Sequence, residues 1–197
     1  MNSSLAGTRQ SLKQGTILLA LVLVVCLCLS AGAEWKPADG PLMTKWARDV
    51  NPDDVHAEYP RPQMVRERWL NLNGLWDYAI RPKDDGQPKE FDGRILVPFP
   101  VESALSGVMK PVGPDNRLWY RRTLDIPKEW GEGNRILLNF GAVDWDTTVW
   151  VNGMKVGNHQ GGYDPFTFDI THALRPAGPQ EIIVSVRTLL LVVSICM

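Results

Sequence analysis

Three patterns of apolar and polar positions divide the chain. Residues 17–29 read ILLALVLVVCLCL, thirteen apolar positions in succession. Residues 34–68 mix Pro, charge and scattered aromatics without a period. That predicts an extended lead-in over a domain surface, with at most a short helix near Leu42–Val50. Met43, Trp46 and Trp69 are expected to be its apolar anchors. From Leu72 onward, short apolar or alternating runs predict strands. They fall at Leu75–Ile80, Arg94–Val97, Leu118–Ile126, Arg135–Phe140, Thr147–Val151, Met154–Val156, Phe166–Ile170 and Ile182–Val186. In the third run, Leu118, Tyr120, Arg122 and Leu124 share one face; Trp119, Arg121 and Thr123 share the other. Polar turns are expected at 81–93 and 130–134, and one helical turn within 169–174. Asn152-Gly153 between two runs signals a hairpin, because both central residues of its turn take positive φ. Short strands at close spacing predict an all-β sandwich, and the lack of strand–helix alternation excludes a parallel α/β sheet.

The first apolar run is short of the ~20 residues a transmembrane helix needs. Arg9 and Lys13 precede it with no acid, and Ala31-Gly32-Ala33 follows. This is the build of a signal peptide over residues 1–33, cleaved after Ala33. It predicts an exported protein, periplasmic or extracellular, that meets a membrane only through this segment.

Composition narrows the field further. The 197 residues are 44% hydrophobic and 22% charged, with a formal net charge of −1, which excludes disordered and collagen-like chains. Without Arg9 and Lys13, 19 basic residues face 22 acidic ones, a net −3. A surface without excess positive charge excludes nucleic acid as the partner. The length does not accommodate a sandwich together with a (β/α)8 barrel of roughly 250 residues. Cys26, Cys28 and Cys196 leave the stretch between Cys28 and Cys196 free of cysteine. No internal disulfide or Cys-based metal site therefore holds the globular part, and core packing must do so.

Candidate chemistry is sparse. His56, His159 and His172 lack metal-ligand spacing. Asp144 and Asp146 at i, i+2 would share a face in a strand, a weak cation signal. No phosphate-cradling Gly-rich motif, nucleophile elbow or zinc-protease motif occurs, and no cofactor is implied. Glycoside hydrolysis needs two paired carboxylates; none is recognisable, and no Asn-Glu dipeptide occurs. Trp, Tyr, Asp and Asn in sandwich loops do suit sugar contact, although Trp76 and Trp150 read as core.

An ordered set of motifs is more specific. Arg61–Arg66 leads to Trp69-Leu70-Asn71-Leu72-Asn73-Gly74-Leu75-Trp76, followed by Val97–Ser103, Trp119-Tyr120-Arg121-Arg122 and Val149-Trp150-Val151-Asn152-Gly153. Gly161-Gly162-Tyr163-Asp164-Pro165-Phe166 and Phe168-Asp169-Ile170-Thr171 complete it. From about Pro60 to about Val186 this resembles the N-terminal sugar-binding domain of glycoside hydrolase family 2, the β-galactosidase/β-glucuronidase family. The resemblance implies a jelly-roll β-sandwich, galactose-binding-domain-like, over 69–187, packed in cis against a catalytic barrel that carries both catalytic Glu residues. It implies loops facing a carbohydrate, a β-glycoside, at Glu102 and Ser103 and at Gly161, Gly162, Tyr163 and Asp164. The bland alternative has Glu102 capping a turn and Tyr163 and Pro165 packing the domain end.

Residues 188–197 depart from the family pattern as an apolar tail, TLLLVVSICM, expected to be exposed and to favour self-association. The expected function is the sugar-binding part of an exported family 2 β-glycosidase, with no catalytic residue in this chain and no hydrolysis of aryl β-glycosides by it. A free-standing carbohydrate-binding module and a purely structural sandwich are the competing readings.

Overall fold

A computed structural model describes residues 34–40, 42–56, 68–131, 133–187 and 195–196. The segment 1–33 that the sequence predicts to be a signal peptide, residues 57–67 of the lead-in and most of the apolar tail lie outside the described residues.

Among the described residues ten strands carry the fold: β1 Gly74–Pro82, β2 Gly93–Val97, β3 Asn116–Leu124, β4 Leu137–Phe140, β5 Ala142–Val143, β6 Asp146–Val151, β7 Met154–Gln160, β8 Phe166–Asp169, β9 Gln180–Arg187 and β10 Ile195–Cys196. Six form one antiparallel sheet in the order β2-β1-β3-β9-β6-β7. The pairs β4–β8 and β5–β10 lie outside that sheet. The core joins the inner faces of the long strands to β4, β5 and β8: Trp76, Tyr120 and Val184 meet Leu138, Phe140 and Val143. This is a nearly all-β sandwich, as the alternation predicts.

The side-chain alternation of β1 and β3 explains their burial. Trp76 and Tyr78 enter the core while Asp77 and Arg81 between and beside them stay out. Leu118 and Tyr120 do the same on β3, and Trp119 joins a second cluster with Ala79 and Ile183 on the outer face. Trp76 is 1% exposed, and its indole N–H donates to the Leu72 carbonyl at 2.9 Å. Burying such a side chain contributes roughly 1.5–3 kcal/mol, and its polar tip is satisfied rather than stranded. Trp150 differs from expectation. It is half-buried in the outer cluster, stacked on Trp119, and not in the main core.

Asn152-Gly153 forms the two-residue turn between β6 and β7, where Val151 faces Met154. Both take positive φ, 51° and 84°. The Asn152 amide also donates to the Ala173 carbonyl and the Gln180 side chain and accepts from the Glu181 N–H, tying the turn to β9.

Several expectations need correction. A short helix, α1 Lys128–Gly131, takes up the first two residues of the expected 130–134 turn, because Pro127 supplies a fixed first turn. β4 starts at Leu137 and not at Arg135, since the Ile136 N–H is held by the Thr171 hydroxyl. β7 runs on to Gln160, sustained by pairing with β6. β5 and β10 were not predicted. The lead-in helix is a 3-10 turn, Lys45–Asp49. Trp46 is 65% exposed and Met43 52%, so neither anchors the lead-in. Small buried residues and hydrogen bonds do that work: Ala47 and Val55 are buried, the Ala38 N–H donates to the Ala104 carbonyl, and the Asn71 side-chain amide donates to the Val55 and His56 carbonyls.

Candidate functional site

The loop after β2 turns its polar groups inward. Ser103 caps the 3-10 turn Ala104–Ser106, its hydroxyl accepting the Ser106 N–H at 3.2 Å. The Ser106 hydroxyl in turn accepts from Val108 N–H at 3.0 Å. Ser103, not Glu102, is therefore the cap. Glu102 lies close enough to Tyr120 to act on it: burial pushes the Tyr120 phenol up, and the Glu102 charge adds to the shift.

The loop between β7 and β8 is built the opposite way. Gly161 takes φ +141° and donates its N–H to the Trp145 carbonyl at 2.9 Å. Gly162 leaves room for Asp144, whose Oδ1 would stand 2.9 Å from any Cβ placed there. Burial raises the Asp144 carboxyl above its usual range. The His159 ring stacks on Phe166 at 4.1 Å, and both His159 Nε2 and the Trp145 indole N–H are buried without a hydrogen-bond partner. Above this base Tyr163 is 90% exposed, and Asp164 and Pro165 are exposed beside it. Tyr163 and Pro165 thus do not pack the domain end. An open phenol ring next to carboxylates can stack on the C–H face of a sugar while acids accept its hydroxyls.

Asp144, Trp145 and His159 complete this loop cluster; the Gly pair directly after a strand was the signal that could have led to them. Asp144 and Asp146 do not act together. Asp144 precedes β6 and leans on Gly162, whereas Asp146 starts the strand opposite Arg187. Among the described residues, no group of three or more His, Cys, Asp or Glu side chains could hold a metal.

The two predicted loops are not neighbours. β2 and β7 are the two edges of the sheet. β2 ends beside the start of β1, and β7 ends on the row where β1 also ends. The loops therefore leave from opposite edges and opposite ends. A cavity of about 250 Å³ forms a third feature, lined mainly by aliphatic residues with Trp69, Trp130 and Asn139 among its walls.

The model of the glycosyl hydrolases family 2 sugar binding domain matches residues 57–192, more than half of the chain. The chain belongs to this family. Its family 2 domain is 28% identical over 138 residues to a β-glucuronidase of Paenibacillus borealis, covering 67% of this chain and 23% of that protein. It is 32% identical over 140 residues to the Felis catus β-glucuronidase, covering 61% and 20%. Among solved structures, Faecalibacterium prausnitzii β-glucuronidase superposes with a TM-score of 0.51 at 26% identity, covering 62% of this chain and 22% of that one. The Bifidobacterium dentium β-glucuronidase complexed with coumarin-3-O-glucuronide gives 0.50 at 27%, covering 65% and 21%. The family 2 chain thus spans about a fifth of the length of the relatives it matches.

Proposed function

We propose that this chain is the sugar-binding sandwich of an exported glycosidase of β-glucuronidase type, and that the β7–β8 loop is its sugar-facing element. The family match and the β-glucuronidase names of the relatives carry the reading. Export is supported by the basic, apolar and small-residue order of residues 1–33. Tyr163 offers the stacking surface, Asp144 and Asp164 the hydroxyl acceptors, and the Trp145 indole a donor left without a partner. Ser103 takes a supporting role, since its hydroxyl caps its own loop, and Glu102 turns its charge toward Tyr120. Hydrolysis itself belongs to a barrel working in cis with this sandwich.

The test is a ligand-observed NMR titration of the chain with methyl β-D-glucuronide, and with methyl β-D-galactoside in parallel. Saturable binding near the millimolar range, preferring the glucuronide and lost in Tyr163→Ala, is expected. No turnover of nitrophenyl β-glucuronide is expected from the chain alone. Absence of saturation with either sugar would refute sugar contact by this loop.

A further inference from the structure

The face of the six-stranded sheet turned away from the core carries a row of cations. Arg81 on β1 lies opposite Arg117 on β3. Leu118 faces Val186, so Arg117 and Arg187 are the next positions along neighbouring strands. Arg187 in turn faces Asp146. Three guanidinium side chains therefore share one row, and like charges side by side repel. Asp92 neutralises Arg81 at 2.7 Å. Arg117 and Arg187 enter none of the ion pairs among the described residues.

Arg117 is the more telling of the two. Its guanidinium lies 5.9 Å from the Trp119 ring, and its Nε is buried without a hydrogen-bond partner. The Trp119 indole N–H next to it is buried and unpartnered as well. Two adjacent donors that have given up water and found no acceptor forfeit the bonds they had in solvent. Beside them Trp119 stacks on half-buried Trp150, centroids 5.6 Å apart. Thr148 and exposed Asn158 face one another on β6 and β7, on the same outer side.

We propose that this sheet face binds an acidic glycan, a saccharide chain carrying uronate carboxylates. Arg117 and Arg187 receive the carboxylates, because a planar guanidinium matches a carboxylate with two parallel bonds. Trp150, Thr148 and Asn158 supply the ring face, hydroxyl and amide that sugars use. Those neutral groups beside the cations favour a glycan over an acidic peptide. The site goes beyond the β7–β8 loop reading, since Tyr163 takes no part in it.

Hyaluronan hexasaccharide is the probe, with neutral chitohexaose as its counterpart, measured by calorimetry on the full chain at low salt. The acidic hexasaccharide binds and the neutral one binds at least about ten-fold more weakly. Arg117→Gln weakens hyaluronan binding by about ten-fold, the worth of one charge-assisted pair. Exposed Arg187→Gln, which leaves folding intact, weakens it by a few-fold, and added salt weakens it further. Tyr163→Ala leaves it unchanged, which separates this site from the loop. Equal binding of the two hexasaccharides, no binding of hyaluronan, or full binding by Arg187→Gln together with a folded Arg117→Gln would overturn the proposal.

Discussion

Gly157→Ala is expected to loosen the sandwich where β7 crosses β8. Gly157 sits on the inner side of β7, opposite Val149, and the Phe168 ring lies against it. A Cβ at 157 would stand 2.6 Å from Phe168 Cδ1 and 2.9 Å from its Cζ, and closer still to its Cε1. The ring has little room to retreat, because Phe166 packs edge-on at 5.5 Å and Phe140 at 6.3 Å. Overpacking of this kind costs about 1–3 kcal/mol. Replacing Gly returns about 0.4–1 kcal/mol by stiffening the unfolded chain. The two ranges leave a loss of about 0–2.6 kcal/mol, and contacts this far inside 3 Å place it in the upper half, about 1.3–2.6 kcal/mol, or a melting temperature lower by roughly 3–10 °C for a chain of this size. Thermal unfolding followed by circular dichroism reads this directly. The same substitution in a Phe168→Leu background isolates the clash, and there the alanine should cost less than about 0.5 kcal/mol. An unchanged melting temperature in the native background, or the same loss in both backgrounds, would refute the steric argument.

Two further outcomes follow from the geometry. Gly153→Val should cost about 1 kcal/mol or more, because a β-branched residue resists the 84° φ of the β6–β7 turn; an unaltered melting temperature would contradict it. Asp169 is held down to about 2 by the Thr171 hydroxyl first, then by the Thr171 N–H and Arg135. A depressed carboxyl stabilises the fold above its unfolded value of 3.8 and loses that contribution as pH falls through about 2. Asp169→Asn should therefore be less stable than the parent at pH 7 and equal to it near pH 2 by urea unfolding. A gap that persists at pH 2 would contradict the assignment.

What could be read in advance had a local cause. β1, β3 and β6 show their alternation in the residues themselves, and Asn152-Gly153 names its own turn. β5 and β10 are two residues each, too short for any period, and exist only through the pairing of Ile195 with Val143 and Cys196 with Ala142. Apolar character alone misled at Met43 and Trp46, where burial depends on what the lead-in crosses. At the candidate site, the exposure of Tyr163 depends on loop geometry and the separation of the two loops on sheet order. The sequence orders β2 and β7 along the chain but does not say that they end as opposite edges. The arginine row likewise exists only in the register that aligns Arg81, Arg117 and Arg187.

The turn at Asn152 also bears on chemical ageing. An Asn-Gly pair deamidates when the glycine nitrogen attacks the asparagine side-chain carbonyl carbon and expels ammonia through a cyclic imide. Here the Asn152 amide nitrogen is held by the Ala173 carbonyl and the Gln180 side chain, and its oxygen by the Glu181 N–H. The side chain is pinned to β9 and cannot swing toward the Gly153 nitrogen while those bonds stand. Deamidation at this dipeptide therefore proceeds from molecules in which that end of the sheet has opened. The slow mass change of the stored protein at Asn152 becomes a clock for how often the sheet's end comes apart.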